Sequence, residues 1–190
     1  MTAISLRDMT EADLPLVVEW MARPHVDRWW HESFDLDETR AKYLPRLAGD
    51  EPTFMLTVLE DAVPIGLAQW YRWDDYAEDR DNYRIGVGEL GIDYTIGEVS
   101  ACGHGAGTTM LGLVLDLLRT AHGEAVTVTV TPEAANAASR RILEKNGFAL
   151  VDVFQTRHLE GRAPEGPTAL YRRLLGPAGS AGGRTHQRPS

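Results

Sequence analysis

Five residues in the middle of the chain, Gly103-His104-Gly105-Ala106-Gly107, lie between an alternating run from Gly88 to Ile96 and an apolar-periodic run from Met110 to Leu118. Strand, glycine loop and helix in that order make a cradle: backbone N–H groups close on an anion and the helix adds the positive end of its dipole. The chemistry this suits is pyrophosphate binding by the backbone from Gly103 to Thr108. A merely tight connection is the other reading of three glycines in such a place. Neither standard nucleotide loop fits. A triphosphate loop would close on Gly-Lys-Ser/Thr, whereas here the residues are Gly107-Thr108-Thr109, and the dinucleotide spacing GxGxxG is not met.

Two further sets of side chains could do chemistry. Glu89 and Asp93 fall four residues apart on the strand and so share a face, where each is either an ordinary strand carboxylate or a group that handles a cation and its proton. Trp29 and Trp30 follow Pro24-His25-Val26 in what reads as a loop, and paired tryptophans there serve as core plugs or as a pocket wall. Cys102 has no recognisable histidine and carboxylate partners except His104, which argues against a nucleophilic cysteine. His25, His31, His122, His158 and His186 are too scattered for a metal site, and no metal is expected.

These groups need elements to hold them. Ala3 to Arg7 reads as a strand, and Thr10-Glu11-Ala12-Asp13 opens a helix whose apolar face is Leu14, Val17, Val18 and Met21. Asp37 to Leu47 is a second helical segment, and Thr53 to Glu60 with Val63 to Trp73 reads as a hairpin across Asp61-Ala62. The polar stretch from Asp74 to Tyr83 is expected to be a surface loop. Thr108 to Ala121 is a helix with Met110, Leu111, Val114, Leu115 and Leu118 buried, and Ala125 to Thr131 alternates strictly as a strand. A helix from Glu133 to Asn146, stopped by Asn146-Gly147, and strands at Phe148 to Gln155 and Ala169 to Leu174 complete a mixed α/β domain. Residues 1–175 are expected to form this one domain and the tail 176–190 to be disordered.

Composition narrows the partners. With 190 residues, 43% of them hydrophobic, the chain suits one substantial core, and 28 acidic against 19 basic residues give a formal charge of -9. That balance repels nucleic acid and attracts a cationic small molecule. One cysteine excludes an internal disulfide framework, and no window approaches the roughly 20 apolar residues of a membrane span. A cytoplasmic protein is expected, as monomer or homodimer.

Two motifs carry a resemblance. Cys102-Gly103-His104-Gly105-Ala106-Gly107 is similar to the glycine motif of the GCN5-related N-acetyltransferase (GNAT) family, and Asn136, Ser139, Leu143, Lys145, Gly147 and Phe148 follow that family's second pattern. The resemblance spans roughly Ile4 to Leu174. More narrowly the chain resembles the aminoglycoside 6'-N-acetyltransferases, through Met9-Thr10-Glu11, the tryptophan pair, Tyr43-Leu44-Pro45, Pro64 to Gln69, Gly91-Ile92-Asp93 and Ile96-Gly97-Glu98. It implies a GNAT-like fold and acetyl-CoA as co-substrate, held by Ile96, Cys102, Gly103, His104, Gly105, Ala106, Gly107, Thr108, Asn136 and Ser139. It further implies an aminoglycoside as acceptor, with Trp29 and Trp30 lining its pocket and Asp93 facing the amine. The residues themselves add Glu89, on the face of Asp93, as a second catalytic carboxylate, and Tyr71, Asp74 and Asp75 as contacts for a polycationic sugar; direct transfer needs no acyl-enzyme.

Three departures bear on substrate and mechanism. Cys102 replaces a basic or glutamine residue at the glycine motif, Thr131 replaces a carboxylate before Pro132, and Leu143 replaces a tyrosine used as the acid for the leaving thiolate. Cys102 leaves the pyrophosphate to the backbone, while Thr131 and Leu143 point to an atypical acceptor, such as kasugamycin at its 2'-amine, beside the 6'-amine of ordinary aminoglycosides. A siderophore-precursor acyltransferase and a non-catalytic CoA-binding domain are the alternatives.

Overall fold

The computed structural model describes residues 2–156 and 166–177; the expected tail lies outside them from residue 178 onward, as do His158 and His186. Seven strands form one mixed sheet: β1 (Ile4–Asp8), β2 (Thr53–Glu60), β3 (Val63–Arg72), β4 (Leu90–Ile96), β5 (Val126–Val130), β6 (Ala149–Phe154) and β7 (Thr168–Leu175). Their order is β1-β2-β3-β4-β5-β7-β6. Every neighbouring pair is antiparallel except β4 and β5, which run parallel and pair only at Leu90 with Val128 and Gly91 with Thr129. Beyond Gly91 the two central strands part, leaving the β5-facing edge of β4 without a strand partner. This parting positions the site.

Helices cover both faces. Period-two alternation along β2 and β3 sends Leu56, Val58 and Ala68 to one side, where Ile65, beside the β2/β3 register shift, joins them against the stripe Met110, Leu111, Val114, Leu115 and Leu118 of α5 (Ala106–His122). The opposite side takes Met55 and Leu67, packed with Leu14, Val17, Trp20 and Met21 of α1 (Leu14–Met21) and Tyr43 of α3 (Leu36–Ala48). Gly97 belongs to this packing: a Cβ there would lie 2.1 Å from the Trp20 ring, while the next residue, Glu98, accepts from Trp20 Nε1 at 3.0 Å and Arg23 at 2.6 Å. The Arg23 guanidinium holds the Glu98 carboxyl below its ordinary range.

Three expectations about elements need correction. The Pro24 loop is a helix, α2 (Pro24–Trp30), because proline at the first helical position is pre-set for the turn and lacks only an N–H that would be unpaired anyway. It stops at His31, whose φ of 50° is left-handed. The polar stretch after Arg72 is likewise structured, as a 3-10 turn Trp73–Asp75 and a short helix α4 (Ala77–Asn82). The helix expected from Glu133 starts only at Ala137 (α6, Ala137–Lys145), because the Asn136 side chain caps the N–H of Ser139.

Near β1, Arg7 makes two bonds to Asp13, at 2.6 and 2.7 Å, and Thr10 N–H adds a third at 2.8 Å. The guanidinium is the main cause that draws the Asp13 pKa from 3.8 down to about 2. A depressed folded-state pKa stabilises above the unfolded value, so the contribution, on the order of 2 kcal/mol, is complete at neutral pH and lost as pH falls from about 4 towards 2. Asp13→Asn should therefore be less stable than wild type by that order in urea at pH 7. The gap should narrow through that acid window; a gap constant with pH would show that the pair does not govern acid stability.

Candidate active site

Where β4 and β5 part, a cavity of about 490 Å³ opens. Trp29, Trp30 and His31 at the end of α2 form one wall, with Lys42 and Arg46 of α3 beside them. Gln69 and Tyr71 of β3 and Ile92, Asp93 and Tyr94 of β4 form the floor. Tyr76, Asp79, Asn82 and Tyr83 around α4 close one end, and Val130 to Glu133, Asn136 and Ser139 line the β5 side.

Asp93 is held by register. It pairs with Gln69 across the β3/β4 ladder, and Gln69 Nε2 donates to Asp93 Oδ2 at 2.7 Å. Arg46 donates in turn to Gln69 Oε1 at 3.1 Å, fixing which way the amide faces. The other carboxylate oxygen of Asp93 accepts no hydrogen bond among the described residues, so it faces the cavity available to a donor. Gly91, two positions back, has a reason of its own: a Cβ would sit 2.4 Å from the Tyr71 ring, so glycine lets that ring lie across β4. Tyr71 in turn meets Trp73 and Tyr76 edge to face at 5.1 and 5.3 Å.

The tryptophans serve both readings of the pair. Trp30 packs against the cluster of Met21 and Val26 while lining the cavity, and Trp29 is half-buried beneath the Arg28 guanidinium, 4.7 Å from its ring centre. Tyr94 lies next to Asp93 and its hydroxyl meets Ser139 Oγ at 2.9 Å. Burial pushes the Tyr94 phenol up, so it stays protonated across the neutral range.

Several expected site residues fall elsewhere. Glu89 does share the face of Gly91, but it is buried under the sheet's other strands: Arg172 Nε of β7 donates to it at 3.0 Å, Thr129 Oγ1 and Gly86 N–H also donate, and it lines no part of the cavity. It is spent on holding β7 and the turn before β4. Asp74 accepts from Arg80 and from Gly88 N–H, and Asp75 is exposed; Asp79 is the carboxylate of that stretch that reaches the cavity.

The glycine loop lies at the far end of β4. Gly103 and Gly105 have φ of 81° and 96°, and a Cβ on either would meet nothing, so glycine answers a left-handed backbone there rather than crowding. Gly107 differs: its Cβ would press on Ile142 at 2.7 Å, where α5 meets α6. The first turn of α5 has no side-chain cap, leaving its N–H groups to an external acceptor. Cys102 Sγ points at the Glu98 carbonyl, 3.5 Å away, and burial pushes its thiol up, which suits a packed cysteine and not a nucleophile. His104 is exposed. Among the described residues no group of three or more His, Cys, Asp or Glu is placed to hold a metal ion, and no helix is long and apolar enough to cross a membrane.

Residues 9–156 match the acetyltransferase (GNAT) domain. The chain belongs to the GNAT family. It is an acyltransferase with that family's mixed sheet. Aminoglycoside N(6')-acetyltransferase type 1 of Klebsiella pneumoniae is 29% identical over 176 residues, which cover 89% of this chain and 81% of that protein. The solved structure of aminoglycoside acetyltransferase AAC(6')-Ib with coenzyme A superposes with a TM-score of 0.73 at 27% identity, covering 90% of this chain and 94% of the other. The same figures hold for that enzyme with coenzyme A and kanamycin.

Gln69, Arg46, Tyr94 and Glu133 are site residues without an assigned role in the sequence reading. Gln69 could have been found by laying β3 against β4, since Gly91-Ile92-Asp93 must face some residue of the preceding strand. Glu133 falls at the start of the helix that the spacing predicts, whereas in the structure it precedes α6 and turns to the cavity.

Proposed function

We propose that this protein transfers the acetyl group of acetyl-CoA directly to an amine of an aminoglycoside. The observation that carries the reading is Asp93, oriented by Gln69 and open on one oxygen in a cavity walled by Trp29 and Trp30. An aminoglycoside amine arrives protonated, and Asp93 accepts that proton so that nitrogen can attack the thioester carbon. The N–C bond forms and the C–S bond breaks; the thiolate leaves with a proton from Tyr94, a neutral phenol on the same strand, and the second proton, shed by the nitrogen as it becomes an amide, restores that phenol. Leu143 is wholly buried and takes no part.

The carbonyl oxygen gains charge in between, and the open edge of β4 supplies donors. Gly97 N–H bonds to Ile65 O and Glu89 O receives Trp73 N–H, both towards β3; by alternation Tyr94 and Ile96 turn their N–H groups to the open side. The Gly103 to Thr108 backbone, with its uncapped helix, takes the pyrophosphate of acetyl-CoA, and Asn136 and Ser139 border its acetyl end.

The acceptor is either the 6'-amine of an ordinary aminoglycoside or an atypical one such as the 2'-amine of kasugamycin, which Thr131 and Leu143 favour. Purified protein mixed with acetyl-CoA and kanamycin, ribostamycin or kasugamycin, with release of free thiol followed, tests this; no acceptor-dependent thiol from any of them would sink the reading. Trp29→Ala should raise the acceptor KM about tenfold, the scale of one lost aromatic contact, with the acetyl-CoA KM and thermal midpoint unchanged. Trp30→Ala should lower the midpoint as well, since that ring also packs against Met21 and Val26. Equal rises in both KM values for Trp29→Ala would return the ring to the core.

A further inference from the structure

Beside Asp93 and Asp79 the cavity is lined by a third carboxylate, Glu133, which the proposed acetyl transfer does not use. Glu133 follows Pro132 at the end of β5, on the other arm of the parting strands from Asp93, and its side chain is 15% exposed. Its placement is rigid. Glu133 bridges to Thr168, its carbonyl accepts from Asn136 N–H at 2.9 Å, and Ala134 N–H and Ala169 N–H tie the same turn to Pro167 and Pro132 at 2.7 and 2.8 Å.

Its carboxylate is poorly matched. The one partner among the described residues is His31 Nε2, at 3.5 Å, longer than the roughly 2.7–2.9 Å of a charge-assisted hydrogen bond. The carboxylate borders the cavity and takes no hydrogen bond among the described residues, so a cation with donors to spare would supply what His31 does not. The protein's other cations in the lining are engaged: Lys42 with Glu32, and Arg46 with Glu51 and Gln69. His31 is a loose substitute, set at the left-handed end of α2 beside the tryptophans.

Resting on the acceptor reading above, we propose that Glu133 binds a second ammonium of the acceptor, so that the site selects amino sugars carrying two amines: one at Asp93 for reaction and one at Glu133 for grip. His31 occupies the Glu133 subsite when no acceptor is bound and gives way to the ligand. Glu133 is therefore a specificity residue that touches substrate but moves no proton. A monoamine sugar engages one carboxylate or the other, never both.

The test separates grip from a structural clip by sign. Calorimetry of kanamycin binding, without acetyl-CoA and hence without turnover, should show Glu133→Gln weaker than wild type by tenfold or more, with its thermal midpoint and acetyl-CoA affinity retained. His31→Asn, which keeps a residue tolerant of positive φ, should bind kanamycin as tightly as wild type or more tightly. For a monoamine probe, methyl 6-amino-6-deoxyglucoside, the Glu133→Gln loss should be threefold or less. If both substitutions weaken kanamycin alike, or lower the thermal midpoint alike, the pair is a clip between α2 and the β5 turn and the proposal falls. It falls too if Glu133→Gln binds as wild type, if both probes lose equally, or if wild type binds no amine. Glu133-dependent binding with no acetyl transfer would instead overturn the proposed reaction and leave this subsite standing.

Discussion

Asp93→Asn should lose turnover by about two to four orders of magnitude at saturating acetyl-CoA, the usual range for removal of a general base. The substitution is mild in structure. Asparagine can still present its oxygen to Gln69 Nε2, so the 2.7 Å contact and the β3/β4 register need not change, and the thermal midpoint should hold. What disappears is the ability to take a proton from the incoming ammonium. Wild-type kcat should therefore rise along an acidic limb that the variant lacks. Near-normal turnover with the same limb would move the base elsewhere, and the structure narrows where. Glu89 is committed to Arg172, Thr129 and Gly86, so Asp79 and Glu133 would be the carboxylates left in the cavity.

How far the sequence discloses this site depends on the range of the forces that make it. The stripe Met110 to Leu118 and the alternation Val126 to Val130 are set by local period and one apolar face, so they are readable without partners. Pro24 reads as the start of a loop because a proline ends the helix before it, yet the same ring also starts one; α1 stops before it and α2 begins on it. Glu89 shows where periodicity runs out. Alternation places it on the face of Gly91 and Asp93, but its partner is Arg172, 83 residues away on a strand that reaches it only through the sheet order. Gln69 and Glu133 escape the sequence for different reasons: one needs the register between two strands, a contact distant in sequence, and the other the exact start of α6, which the Asn136 cap sets locally but periodicity does not show.

Gly105→Val is the second large effect expected, and to the close approach to a phosphate that glycine allows the structure adds a reason in the backbone. A Cβ at Gly105 would meet no atom within 4 Å, whereas φ there is 96°, a conformation that a β-branched side chain essentially never adopts. The cost is in the backbone. A side chain forced into the left-handed region costs about 1–2 kcal/mol, more when branched at Cβ, and the loop can shed that strain by turning away from the geometry that aims the first N–H groups of α5 outward. Gly105 O also accepts from Thr109 N–H at 3.0 Å, so the same turn fixes the helix start. Affinity for acetyl-CoA should fall by at least the roughly tenfold that 1.4 kcal/mol represents, while kanamycin binding, at the other end of β4, is retained. Gly107→Ala is the contrasting variant, since its Cβ presses on the flexible tip of Ile142 at 2.7 Å without needing positive φ. Its loss should appear in the thermal midpoint through α5/α6 packing more than in affinity. Calorimetric titration of both folded variants with acetyl-CoA decides the matter: equal affinities for Gly105→Val and wild type would place the pyrophosphate cradle away from this loop.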